Sequence, residues 1–594
     1  MPALLRLTLG TACAAALAWA TPQTAQACGG TFCDNLPQPM PIDQTGENIL
    51  FVVDGPSVEA HIQINIDSGT DAEKFAWVIP VAAMPEFEIG SDPLFNSLLA
   101  ASVPQHFVSG GTFCPGEDED GGQSFLTQPD GGAGTIDETY NEVVGAFDVT
   151  VLADDSADDV AAWLVANDFA EDAAALPILE EYVAQGWMFA AVRLANNVGV
   201  DQVHPLVMKY DNGEPCVPLR LTRIAATDDM EVRTFFLGDA RVAPTNYKHV
   251  LVNPLKINWL DGGSNYKEVV TLAVDQDGAD GKAFVTEFAG ASEAVLRNGI
   301  WAADWNADVF MTAAAEDVLD ILFDQALAFC SPNNCQFNHP LILGLLRTYL
   351  PPPTDMDEVE FWGALHDNAA LIDAMAWDGP MFAADLAERV IDPGLHALEL
   401  LDTWPYLTRM YTTISPTEMT LDPIFHPHPD LPPVPATRIA NREANCDTGG
   451  SVITLPDGRE VYLPEGADWP NFTDEMPWEE DIVELMEDAG APIPVVDNTQ
   501  LIDELLAEYN EATRPPDPGG TTGGEGTTGG SATGGVSFPD DDTGGADAGQ
   551  DEIDGVSSGC ACQAGRGVGG SVGFGLGLLL AGLVTRRRRP RRAR

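Results

Sequence analysis

Several groups of residues in this sequence have types and spacings that could do chemistry. Cys330 and Cys335 bracket Ser331-Pro332-Asn333-Asn334, with His339 just beyond. Two thiolates and an imidazole could supply three of the four ligands that zinc takes. The intervening turn also brings the thiols together, and in an exported chain a Cys330–Cys335 disulfide is the preferred expectation. Closing so short a loop is worth about 2 kcal/mol in the chain-entropy description. Cys28 and Cys33 have the same spacing around Gly29-Gly30, so the same pairing is expected there. Cys114, Cys216 and Cys446 are left over. One pair and one free thiol is the simplest outcome, and which pair is open. A nucleophilic cysteine with a histidine partner is the catalytic alternative, but no feature selects its members.

Asp275, Asp277 and Asp280 lie in Asp-Gln-Asp-Gly-Ala-Asp-Gly and suggest a calcium loop. The helix-loop-helix calcium pattern wants acids at positions 1, 3, 5 and 12 and Gly at 6. Counted from Asp275, those last three positions hold Ala279, Thr286 and Asp280. Apolar runs at 269–274 and 283–288 read as strands on either side, so a hairpin turn is preferred, with a non-helical calcium site as the weaker alternative. No cofactor is otherwise expected. His426-Pro427-His428-Pro429 offers two imidazoles but sits in a proline-rich extended stretch, which reads as a solvated linker. His61 falls on the polar face of a strand and is expected to be exposed. Trp77 and Trp187 lie in apolar runs and are expected in the core. There is no His-Glu-x-x-His, no phosphate loop and no Gly-x-Ser-x-Gly elbow, so no catalytic residue is assigned.

The elements that would position these groups divide the chain. Val58, Ala60, Ile62, Ile64 and Ile66 alternate with Glu59, His61, Gln63 and Asn65, the pattern of a strand with one wet face. Residues 49–53 and 75–81 are continuous apolar runs, as in strands covered on both faces. Further strands are expected at 143–152, 187–194, 206–210, 217–224, 232–237, 249–252 and 269–274. Ser156 can cap a helix running to about 166, and a second is expected over 172–185. From 307 to 414 apolar residues fall three or four apart, and helices are expected over 341–350, 359–375, 381–390 and 395–404. Two short acidic helices, at 479–487 and 499–512, would close the folded part. The expected fold is therefore α+β. Residues 28–300 form a β-rich region, a mixed or antiparallel sheet or sandwich with helical insertions, and 301–512 are mainly helical.

The two ends read as addresses. Arg6, an apolar stretch over 7–20 and Ala25-Gln26-Ala27 make a secretory signal over residues 1–27, cleaved after Ala27. Residues 513–559 are rich in Gly, Thr, Asp and Pro and are expected to be a disordered spacer. Cys560-Ala561-Cys562 follows, then an uncharged stretch over 568–585 and seven arginines in the last nine residues. A helix over 568–585 would be about 27 Å long, enough for one membrane span. The arginines would hold the end in the cytoplasm.

Charge narrows the partners. The chain has 92 acidic and 28 basic residues, a net of −64. One basic residue is Arg6 and eight lie in 566–594, so residues 28–559 carry 19 bases against all 92 acids, a net of −73. Such a surface repels phosphate, which excludes a nucleic-acid partner.

Several segments resemble one family. They are Cys28-Gly29-Gly30-Thr31-Phe32-Cys33, the alternating strand at 58–66, and Lys74-Phe75-Ala76-Trp77-Val78-Ile79-Pro80-Val81. Gly186-Trp187-Met188-Phe189, His204-Pro205-Leu206 and Pro218-Leu219-Arg220-Leu221-Thr222 complete the set. Together they resemble a secreted bacterial domain-of-unknown-function family, number twenty-three-thirty, over roughly residues 27–250 with an outer bound at 430. The resemblance implies secretion and supplies no catalytic residue. The spacer, Cys560 and Cys562, apolar stretch and arginines resemble the myxobacterial C-terminal sorting tag. That resemblance implies a sorting or processing protease acting near a cysteine and anchorage at the cell surface. The sequence thus describes an exported, surface-anchored envelope protein that binds a ligand or organises the envelope and is not an enzyme. A secreted hydrolase, its site assembled from distant residues, is the alternative.

Overall fold

The structure is a computed structural model. It describes residues 44–514 apart from 56, 67–75, 111–140, 154–155, 167–174, 195–201, 212–213, 225, 446–448 and 474. The signal segment 1–27, most of the spacer, the tag at 560–594 and Cys114 and Cys446 lie outside the described residues.

The frame is a ten-stranded mixed sheet. In spatial order its strands are Ile493–Asp497, Glu479–Glu484, Lys248–Val252, Ala283–Ala291, Tyr406–Ile414, Ala226–Gly238, Gln44–Asp54, Ser57–Ile66, Leu206–Asp211 and Glu86–Ile89. Two junctions are parallel: Gln44–Asp54 with Ala226–Gly238, and Lys248–Val252 with Ala283–Ala291. The apolar run Ile49-Leu50-Phe51-Val52 is buried throughout, as a strand covered on both faces requires. On one face Phe51, Ala60 and Ile62 pack against Ile79, Val149 and Val192 of a second, antiparallel sheet. That sheet is backed in turn by the helices Ala157–Ala166 and Ala175–Ala184. On the other face Leu50, Val52, Phe235 and Leu407 meet the helices Asp92–Ser102 and Asp392–Thr403. The layers are therefore helix, sheet, sheet, helix. Trp77 and Trp187 are buried, as expected.

The fold is α+β with a β-rich sheet region, but the local readings need correction in five places. Residues 217–224, expected as a strand, contain the short helix Leu219–Thr222. Residues 269–274 form the end of the helix Tyr266–Val274, whose Val269, Val270, Ala273 and Val274 share one buried face. Valine-rich composition favours a strand, but helical spacing of the buried positions decides the matter here. Residues 479–484 form a strand, not an acidic helix; Ile482 is its fully buried residue. Helix dominates only from Val318 to Thr403, and the helix expected over 359–375 is shortened to Glu358–Trp362. Residues 406–497 then return to strand, so the main sheet draws on both sides of residue 300. Among the described residues no helix is long and apolar enough to cross a membrane, and 568–585 lie outside them.

Phe236 sits where the two sheets meet, stacked on Phe51 at 5.5 Å and tilted on Phe425 at 4.9 Å. Phe236→Ala is expected to lower unfolding stability by about 3–5 kcal/mol, read as a fall in the denaturant midpoint without a change in slope.

Candidate metal centre

The strand Ser57–Ile66 places Glu59, His61 and Gln63 on one face, the face shared with Leu50 and Val52 of the neighbouring strand. The sequence predicts that this face is wet. Instead the helix Asp392–Thr403 lies over it, and His61 is 1% exposed. Ala397, Leu400 and Leu401 anchor that helix in the core. Its first turn is set close to the chain by Gly394, where an added Cβ would stand 2.4 Å from the carbonyl oxygen of Ile300. A larger residue there would lift the turn that carries His396.

The geometry is convergent. His61 Nε2 lies 2.7 Å and His396 Nε2 2.5 Å from the same oxygen, Glu59 Oε1. The three ligand atoms lie within 4.8 Å of one another. The two rings are 6.0 Å apart and nearly parallel. Burial alone would raise the Glu59 carboxyl, but hydrogen bonds from His396 and His61 outweigh it and hold the group well below the usual carboxylate range. Burial lowers the His61 imidazole, so it stays neutral, the form that ligates metals. His61 Nδ1 is buried without a hydrogen-bond partner and can carry the ring proton when Nε2 serves as ligand. Lys209, directly opposite Glu59 in the next strand, stands 3.7 Å from Oε2 and is held at 2.6 Å by Glu88.

Two imidazole nitrogens and one carboxylate oxygen form a set suited to zinc and its first-row neighbours. The set is wrong for calcium, which takes six to eight oxygens. Glu59 and His396 are part-exposed, at 16% and 29% of their side chains, so the cluster is reachable from solvent.

The other sequence candidates fall elsewhere. Among the described residues this is the one cluster of three such groups close enough to hold an ion, and Asp275, Asp277 and Asp280 do not form another. Asp275 ends a helix and Asp277 and Asp280 lie in the following turn, so the expected hairpin is absent. Burial, then Glu418 and Asp229, push the Asp275 carboxyl up to about 6. Cys330 and Cys335 face each other across a two-strand hairpin with their sulfurs at disulfide distance, 2.04 Å. His339 is buried beside Trp305, and burial brings its imidazole down to about 4. Cys216 is also disulfide-bonded. Residues 425–427 pair with Val242–Pro244, and His428 is 2% exposed, so this stretch is packed and not a solvated linker. Ala27, Cys28, Cys33, Cys560 and Cys562 lie outside the described residues. Glu59 and His396 are not singled out by sequence reasoning. Glu59-x-His61 on a strand is a same-face pair and a usable signal; nothing local ties it to residue 396.

The family model described as "Uncharacterized protein conserved in bacteria (DUF2330)" matches residues 22–425, and the chain belongs to that family. No curated protein and no solved structure matches the chain. Glu59, His61 and His396 all fall inside the matched span.

Because the folded Glu59 carboxyl lies below its ordinary value of 4.5, its contribution to stability is present above that pH and is lost as the pH falls below it. Glu59→Gln abolishes this contribution. Its melting temperature is expected to fall less than that of the unsubstituted protein on acidification from about pH 6 to about pH 3 in metal-free buffer.

Proposed function

We propose that this protein is exported, anchored at the cell surface through its C-terminal segment, and binds one zinc ion at Glu59, His61 and His396 without catalysing a reaction. The observation that carries the reading is the convergence of two imidazole Nε2 atoms on one carboxylate oxygen. Family membership, with the secretion the resemblance implies, supports export. The cysteine pair, apolar stretch and arginines support a sorting tag, with a span at 568–585, a processing protease acting near Cys560 or Cys562, and residues 513–559 as the stalk. The net charge of −73 over 28–559 supports a body that stays soluble and concentrates divalent cations around itself.

Metal-free full chain titrated with zinc against a chromophoric chelator is expected to bind one ion at this centre. His61→Ala and His396→Ala each weaken binding by more than the roughly 10–100-fold that follows loss of an outer-shell partner. Affinity falls as the pH is lowered, because protons compete for the ligand nitrogens. Equal affinity in the variants and the unsubstituted chain overturns the zinc assignment. A hydrolase is the second reading, favoured by the partial exposure of Glu59 and His396: three protein ligands would leave zinc a position for a water ionising near pH ~7. Zinc-dependent ester or phosphoester cleavage, lost in His396→Ala, would decide for it. For the anchor, deleting the chain from Cys560 onward is expected to release the body into the medium. A truncated protein that stays cell-bound removes the anchor from the proposal.

A further inference from the structure

A second site shares no residue with the metal centre. A cavity of about 530 Å³ opens between the strand Lys248–Val252, the loop 431–434 and the segment 456–457. It is within the roughly 300–1,000 Å³ range of small-molecule sites. Its lining is mostly apolar, with Val250, Val252, Ile257, Trp259, Val285 and Val434 among the walls.

Arg241 lines the same cavity and is 5% exposed. One terminal nitrogen donates to the Pro432 carbonyl at 2.6 Å and the other to Thr286 Oγ1 at 3.0 Å. Its Nε is buried and has no hydrogen-bond partner, and no carboxylate pairs with this guanidinium among the described residues. Burial brings Arg241 down to about 10, so it remains charged at neutral pH. A buried charge without a counter-ion is among the costliest arrangements a protein can hold. The neighbouring polar groups do not relieve it. Thr286 Oγ1 is shared with His249 Nε2 at 2.9 Å, and burial holds His249 near 3 and His106 near 4, so both rings are neutral. Three acids line the cavity: Asp457 and Glu480 are engaged by Arg459, and the part-buried Asp481 has its carboxyl pushed up by burial and by Asp497 and Glu480. Arg438, the other cation, bonds the carbonyl of Glu287 and faces His106.

We propose that this cavity binds a small organic carboxylate with an apolar body. The carboxylate accepts from the Arg241 guanidinium, and the body lies along Val250, Val252, Ile257 and Trp259. The surrounding acidic surface repels inorganic anions, so the apolar body is what brings the charge to Arg241.

The test is calorimetric titration of the purified full chain with decanoate, decan-1-ol and acetate. Decanoate is expected to bind with a stoichiometry of one, and the alcohol and acetate each at least about tenfold more weakly, the worth of one charge-assisted hydrogen bond. Arg241→Gln is expected to weaken decanoate by at least about tenfold and to leave decan-1-ol unchanged. Val434→Trp, which narrows the cavity without touching Arg241, weakens all the binding seen. Decan-1-ol binding as tightly as decanoate overturns the proposal, as does a lack of decanoate binding at millimolar concentration. If Arg241→Gln does not fold, the contrast between decanoate and decan-1-ol on the unsubstituted chain decides the matter. Zinc affinity at Glu59 is measured separately, so failure here leaves that assignment standing.

Discussion

Arg409 and Glu287 are both buried in the middle of the ten-stranded sheet, with Nε 2.6 Å from Oε2. Arg233 and Arg438 also lie near Glu287, but removing either partner of a buried pair still costs about 3–5 kcal/mol. The pair exists because of a bulge. Along Ala283–Ala291, Thr286 pairs with Met410 and Phe288 with Arg409, so Glu287 is the extra residue between them. Bulges re-aim side chains in this way. A one-residue slip of Tyr406–Ile414 would turn Arg409 toward the apolar face between the two sheets, so the ion pair fixes that strand's register. Every residue of the strand but Tyr406 is buried, and it joins Ala226–Gly238 to Ala283–Ala291. The rest of the sheet depends on its being there.

Much of this is legible in the sequence. Apolar runs and alternation locate Gln44–Asp54, Ser57–Ile66, Ala76–Val81, Met188–Leu194 and Leu206–Asp211, and Ser156 does accept from the Asp159 amide at the start of its helix. The misreadings have a common cause. Periodicity reports that one face is buried, not what buries it. The polar face of Ser57–Ile66 looks wet because Glu59, His61 and Gln63 occupy it, while the helix that covers it lies more than three hundred residues downstream. Likewise Tyr406–Ile414 follows a run of helices, and only its partners mark it as a strand. The metal centre is hidden for the same reason, since its third member comes from that distant helix.

Two of the segments that carry the family resemblance, those around His204 and Arg220, are junctions between layers. His204 Nε2 accepts from the Ala146 amide at the hairpin turn of the small sheet, and the next residue's carbonyl accepts from Gly90. Arg220 lies over the Tyr182 ring, and both donate to Asp422 Oδ2 at 2.8 Å. The family match ends at 425, just past that aspartate, and so encloses the register-setting strand and the metal centre. Residues 437–513 add the outer two strands and most of a separate four-stranded sheet, and with them part of the wall around Arg241.

The late position of Tyr406–Ile414 also sets a timetable. A chain made from its N-terminus must hold Ala226–Gly238 and Ala283–Ala291 apart, both with unsatisfied edges, until more than a hundred further residues have been synthesised. Such long-range closure is slow, because the loop entropy is lost before the contacts form. A nascent first half is therefore a poor folder and a good client for holding chaperones, and it stays threadable. A core that closes only near its end thus postpones collapse until most of the chain has been made.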